Sequence, residues 1–222
     1  MVVLGASSLT GALREALEKQ NYDLLVYQRA DEALEDVTAT RLDLIVIDAA
    51  PTDINGLELC ARMRKRSEVP IMLVADSAAD QEKVLGFRAG ADEYVTRPVS
   101  DEELMARVQA IFKRQQIPER TSEPLVVGNL IVDVARREVL LNGAPIELTR
   151  IEFDLLHLLI TNRNRVLTHR QLLGKVWGPD YEDETHYLWV NISRLRKKLE
   201  PAPDSPRYIH TQPGIGYYFD EL

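Results

Sequence analysis

The chain of 222 residues contains a single cysteine, Cys60, so no internal disulfide can form. No apolar run approaches membrane-spanning length, which predicts no membrane partner. The opening residues, MVVLGASSL, lack a cationic start and a long apolar stretch, which predicts no secretory signal and a cytoplasmic location. Two tryptophans, four histidines and scattered acids form no metal-ligand spacing, catalytic triad or glycine-rich phosphate loop. The expectation is a protein that is not an enzyme and that holds neither metal nor cofactor. An excess of positive charge is also missing. The net charge is −8; residues 1–116 carry 14 Lys and Arg against 20 Asp and Glu, and residues 117–222 carry 13 against 15. A nucleic-acid surface therefore has to come from local segregation of charge.

What is present suits two domains, each large enough to bury its own core. Short apolar runs at 2–4, 22–27, 42–47, 71–74 and 93–95 alternate with amphipathic patterns at 9–19, 31–37, 57–65, 80–89 and 101–114. Strand and helix alternating five times predicts a doubly wound parallel sheet, an α/β domain over 1–114. Such sheets carry their working groups at the carboxyl ends of strands, here the loops after Leu4, Ile47 and Val95. Asp48 follows the run LIVI directly. It is a candidate nucleophile or metal ligand, or else a strand-end acid capping a turn. Residues 115–124, QQIPERTSEP, are polar, hold two prolines and read as a linker spanning at most roughly 35 Å.

The remainder, 125–222, opens rich in strands, with Asn142-Gly143 as a hairpin turn. Thr149-x-x-Glu152 and Thr168-x-x-Gln171 are capping boxes before two helices. An acidic loop, GPDYEDE over 178–184, leads into THYLWVNISRLRKKL over 185–199. There Leu188, Ile192, Leu195 and Leu199 line one helix face, while His186, Val190 and Arg194 recur at i, i+4 and i+8 on the other. Tyr187, Asn191, Arg196, Lys197 and Lys198 flank that outer face. Its cations and base-reading groups suit a major groove, and the same pattern also describes an ordinary solvated basic face. Pro213-Gly214 and Gly216 mark a closing hairpin. Strands, three helices and a hairpin give the order of an α+β winged helix-turn-helix domain.

DLIVIDAAPTDINGLEL, VPIMLV and GFRAGADEYVTRP resemble the receiver domain of two-component response regulators, a (βα)5 fold of the flavodoxin/CheY-like kind. LTRIEFDLLHLLI, VLTHRQLL, VWG, RLRKKLE and PGIGYYF resemble the winged-helix output domain of the OmpR/PhoB family. Together they cover nearly the whole chain outside the linker. The resemblance implies a bacterial transcription regulator that binds double-stranded DNA, with Asp48 as phosphoacceptor. Three supporting positions depart from the family. Its magnesium-binding acidic pair falls on Leu4 and Gly5, its switch hydroxyl on Ala75 or Val74, and its lysine on Arg97. Losing the carboxylates removes the oxygen ligands that Mg2+ needs. An atypical, phosphorylation-independent receiver is therefore expected, with Asp48 vestigial and Arg97 a remnant of the phosphate site. A cognate histidine kinase is left open.

The resemblance also implies a homodimer formed through the helix 80–89, the strand 93–95 and the helix 101–114, with Lys83, Asp92, Glu103 and Arg107 among its ion-pairing residues. Base reading is expected to centre on His186, Val190, Asn191 and Arg194. Phosphate contacts are expected of Thr168, His169, Arg196, Thr211 and Tyr217, and Tyr187 and Lys197 complete the expected DNA-binding set. A wing arginine common in the family is Pro213 here. Residues 177–185 resemble the segment that touches RNA polymerase in activators, so Asp180, Glu182, Asp183 and Glu184 either meet a basic polymerase surface or keep the loop solvated. Two other functions stay open: a regulator still switched at Asp48, and a protein-interaction module whose basic helix is a docking face.

Overall fold

The computed structural model describes residues 2–4, 15, 17, 22–40, 42–49, 54–114, 123–202 and 205–220. Most of the helix expected over 9–19, the Gly5 and Ala6 positions and residues 115–122 of the expected linker lie outside the described residues. The chain divides into two compact units, Met1–Gln116 and Ile117–Leu222.

LIVI and IMLV lack polar alternation, as strands buried on both faces require. They form the centre of a parallel sheet ordered β2-β1-β3-β4-β5, made of β1 (Val2–Leu4), β2 (Leu25–Tyr27), β3 (Ile45–Asp48), β4 (Ile71–Ala75) and β5 (Glu93–Thr96). All residues of β3 and β4 are buried. The helices between them are α1 (Ala30–Ala39), α2 (Gly56–Arg64), α3 (Asp80–Ala89) and α4 (Asp101–Arg114). One side of the sheet packs Val46, Met72, Val74 and Val95 against Leu104, Met105, Val108 and Ile111 of α4. Strand order reverses beside β1, which sets the ligand crevice at the carboxyl ends of β1 and β3. The expected strand 22–27 shortens to Leu25–Tyr27 because its partner β1 offers three residues, Val2↔Leu25 to Leu4↔Tyr27. The preceding Tyr22 instead stacks on Phe112, ring centres 5.0 Å apart.

The second unit begins with an antiparallel sheet in chain order, β6 (Leu125–Val127), β7 (Leu130–Asp133), β8 (Glu138–Leu141) and β9 (Ala144–Pro145). Asn142 and Gly143 turn β8 into β9 with φ of 54° and 80°, the paired positive angles that this two-residue turn demands. Three helices follow: α5 (Arg150–Thr161), α6 (His169–Val176) and α7 (Thr185–Leu199). Both expected capping boxes form: the Thr149 and Thr168 hydroxyls accept from Glu152 N and Gln171 N while those side chains accept in return. A second antiparallel sheet, ordered β10-β12-β11, joins β10 (Leu167–Thr168) to the closing hairpin of β11 (Ile209–Gln212) and β12 (Gly216–Phe219). Leu156, Leu172, Leu188, Ile192, Leu195 and Phe219 are buried and give this unit its own core.

Candidate functional site

Asp48 ends β3 in register with Val74 and is 3% exposed. Its Oδ1 accepts a hydrogen bond from the Arg97 guanidinium, which comes from just beyond β5. The other amino group of Arg97 donates to Asp76, just beyond β4, at 2.8 Å. One cation thus ties together the carboxyl ends of three neighbouring strands. Burial by itself lowers the pKa of Arg97, but the hydrogen bonds to Asp76 and Asp48 outweigh it and hold the guanidinium above its ordinary value. Asp76 carried no role in the sequence reading. Its signal was available, since it is the first polar residue after the apolar run of β4. Ala75, at the position given to the switch hydroxyl, is 8% exposed and offers no hydroxyl.

The expected dimer face is partly corrected. Asp92 is 3% exposed and turned inward: its Oδ2 accepts from Arg64 and, at 2.9 Å, from Ile71 N. Arg64 drives this, because the same guanidinium also donates to the carbonyls of Gly90 at 3.1 Å and Ser67 at 2.9 Å. Arg107 pairs with Glu103 one turn away at 2.8 Å and with Glu93 of β5 at 2.9 Å. Lys83 lies on α3 with intermediate exposure.

In the second unit α7 covers the expected residues. Leu188, Ile192, Leu195 and Leu199 are buried, and the 3.6-residue turn sets His186, Val190 and Arg194 on the side away from that stripe. Trp189, Ser193 and Lys197 are exposed, and His186, Arg194 and Arg196 are intermediate. Tyr187, Val190 and Asn191 are buried. For Tyr187 this corrects the outward placement: its ring meets Tyr181 at 5.4 Å and Trp177 at 5.9 Å, both edge-on, in an aromatic core. Asn191 is corrected likewise: it is fully buried, and its Nδ2 donates to the Tyr187 carbonyl at 2.8 Å, one turn back along its own helix.

The cations of α7 divide by role. The Arg196 guanidinium donates to the Ile209 carbonyl at 2.7 and 3.0 Å and to Thr211 Oγ1 at 2.8 Å, which ties the helix to β11. Burial lowers its pKa. Lys198 Nζ donates to Glu147 O and to the Glu152 carboxylate, both at 2.8 Å. Lys197 is the one of these three that is exposed. Glu200, to which sequence reading gave no role, accepts from Arg207 N at 2.7 Å and from Tyr208 N and Ile209 N at 2.9 Å, fixing the entry into β11.

Thr168, His169, Thr211 and Tyr217 do come together. Thr168 pairs with Gly216 and Thr211 with Tyr217 across the second sheet, and the His169 and Tyr217 rings lie 5.7 Å apart. Thr168 and Thr211 are exposed; Tyr217 is buried, which raises its pKa. The acidic loop forms a short 3-10 turn, Pro179–Tyr181. Glu182 forms an ion pair with Arg170, and Glu184 lies 3.1 Å from His186 Nε2, while Asp180 and Asp183 are exposed.

A parallel sheet with a strand-end aspartate, followed by a helix-turn-helix and a hairpin wing, defines the class of a receiver joined to a winged-helix effector. Residues 5–109 match the family model described as response regulator receiver domain, and residues 143–219 that described as transcriptional regulatory protein, C terminal. The sensory transduction protein RegX3 of Mycolicibacterium smegmatis is 36% identical over 220 residues, covering 98% of this chain and 96% of that protein. The response regulator ArlR of Staphylococcus haemolyticus is 36% identical over 217 residues, covering 98% and 97%. Among solved structures, a mutant of RitR matches with a TM-score of 0.78 at 29% identity, covering 100% of this chain and 99% of that one. DrrB of Thermotoga maritima, described as an OmpR/PhoB homolog, matches at 0.51 and 30%, covering 99% and 97%. The chain belongs to the OmpR/PhoB family of response regulators, with a receiver and a DNA-binding effector domain. Among the described residues no helix is long and apolar enough to cross a membrane.

Proposed function

We propose that the chain is a cytoplasmic, dimeric, sequence-specific transcription regulator whose receiver acts without orthodox phosphorylation of Asp48. The observation that carries the second half is the Arg97 bridge. A guanidinium shared by Asp48 and Asp76 sets a fixed cation against the strand-end carboxylate, where the family uses a metal ion and a lysine. Leu4, Gly5 and Ala6 supply no side-chain carboxylate on the β1 side. Asp48 then serves as an anchor for β5 rather than as a phosphoacceptor, and no histidine kinase is needed as a partner. The segment 115–124 is the linker between a receiver at 1–114 and an effector at 125–222.

On this reading His186, Val190 and Arg194 read bases, without the enclosed Tyr187 and Asn191, while Thr168, His169, Arg196, Thr211 and Tyr217 meet phosphates and Lys197 belongs to the same DNA-binding face. Arg196 and Tyr217 also position the wing, so their loss is expected to reshape the domain as well as to weaken contact. The dimer face keeps Lys83, Glu103 and Arg107, without Asp92. Asp180 and Asp183 are the acids open to RNA polymerase. The test is binding of the full chain to a duplex recovered by the chain itself from a random pool. Binding that resists competitor DNA and falls ~10-fold or more in Arg194→Ala, as the loss of a good base contact predicts, supports the reading. Binding that competitor abolishes, or that Arg194→Ala leaves unchanged, removes it in favour of a protein-docking module.

A further inference from the structure

α7 leaves one large apolar side chain in solvent. Trp189 is 52% exposed, whereas the other tryptophan of the chain, Trp177, is 2% exposed in the core. Trp189, Ser193 and Lys197 follow each other at i, i+4 and i+8, and all three are exposed, so they form a continuous stripe along the helix. Arg196 lies seven residues beyond Trp189, two turns or about 10 Å along the same side, and it is the residue that grips Ile209 and Thr211 of β11. Trp189 therefore projects from the wing side of α7, next to the face that carries His186 and Arg194. This stripe holds an apolar ring, a small hydroxyl and a cation, and nothing acidic.

That combination fits one edge of a DNA groove. Bordering phosphates complement Lys197, and the only apolar group that a base presents in the major groove is the 5-methyl of thymine. An indole also carries one N–H donor for a phosphate or carbonyl oxygen. We infer that Trp189 is a specificity-determining contact, its ring covering the methyl group of a thymine at the wing-side edge of the recognition helix. The inference rests on the DNA-binding reading above and adds, at the wing-side edge, an apolar base contact separate from Val190 and from the polar readers His186 and Arg194.

The experiment uses the full chain and the duplex that it selects from a random pool, with each thymine replaced in turn by deoxyuridine, which removes only the methyl. One position is expected to lower wild-type affinity about fourfold, the effect of leaving one methyl-sized group unburied. Trp189→Ala is expected to bind more weakly and to lose that discrimination, while Trp189→Phe, which keeps an apolar ring, retains it. Tryptophan emission gives a second readout: Trp189 should be quenched on binding, against the constant signal of buried Trp177. The inference is overturned if no deoxyuridine position matters, or if the same position matters equally in Trp189→Ala. Retention of binding by Trp189→Ala with an unchanged deoxyuridine profile, alongside loss in Arg194→Ala, overturns this inference alone; failure of the wild type to select any duplex overturns the DNA reading beneath it.

Discussion

Arg97 reaches back across β4 to donate to Asp48 at the end of β3, and on the way donates to Asp76 at 2.8 Å. Neighbouring strands lie about 4.8 Å apart, so the long arginine side chain spans a distance of two strands. The Asp48 side chain is 1% exposed and that of Arg97 is 22% exposed, so water takes over little of the interaction. Removing the guanidinium would take a charge-assisted hydrogen bond from a buried carboxylate. Arg97→Ala is expected to destabilise the receiver by about 2–4 kcal/mol, toward the lower part of the range for breaking a buried pair because Arg97 keeps some solvent. Urea unfolding of the full chain measures this. In the double variant with Asp48→Asn the combined loss should be clearly smaller than the sum, as for residues in contact.

Asp92 is expected to act on folding first. Its carboxylate is held by Arg64 and Ile71 N behind β5, and its side chain is 4% exposed. Asp92→Ala should cost about 3 kcal/mol of receiver stability by breaking the buried pair, because Glu68, 3.7 Å from Arg64, takes over only part of the charge. Glu103→Ala, at a half-exposed pair on α4, should cost under about 1 kcal/mol. Thermal unfolding of the two variants side by side decides this; equal losses would return Asp92 to the surface.

Glu152 joins two helices of the effector. Its carboxylate accepts from Thr149 N at 2.9 Å, closing the capping box of α5, and from Lys198 Nζ of α7 at 2.8 Å. Glu152→Ala should therefore lose more than the ~1 kcal/mol of a cap alone, with Thr149→Ala as the comparison. Chemical denaturation of both variants provides the measurement, and an equal loss would mean that Lys198 adds nothing.

His157 on α5 has its pKa lowered below 6.5, chiefly by burial, with Asp154 opposing and Arg137 adding to the shift. A lowered pKa means that the unfolded chain takes up the proton more readily, so this histidine contributes stability above about pH 6.5 that is lost as pH falls below it. Melting temperatures at pH 7.5 and pH 5.5 should differ more for the wild type than for His157→Gln. An identical difference would remove His157 from the pH response.

The placement of elements was legible because it depends on local pattern. α3, α4 and α7 occupy the expected residues, and both capping boxes and the Asn142-Gly143 turn formed as read. What sequence reading missed were pairings set by the fold. Asp92 meets Arg64 from 28 residues away, and Asp76 meets Arg97 from 21, with no local spacing to announce either. The helical wheel gave the Leu188 stripe but could not say that Tyr187 is enclosed by Trp177 and Tyr181, or that Glu200 would cap three amides at the start of β11. Trp189 escaped for a related reason: a tryptophan beside a core stripe reads as core until its exposure is known.

If the Arg97 bridge replaces phosphorylation as the state that the receiver holds, a phosphoryl mimic should leave the dimer unchanged. Light scattering over a concentration series, with and without Mg2+ and beryllium fluoride, on the wild type and Asp48→Ala tests it most directly. A receiver fixed by Arg97 should give wild-type dimerisation curves that do not respond to the phosphoryl mimic, and an Asp48→Ala response that is equally flat. Tightening of the wild-type dimer by beryllium fluoride, absent in Asp48→Ala, would show Asp48 still working as a phosphoacceptor and would contradict the account.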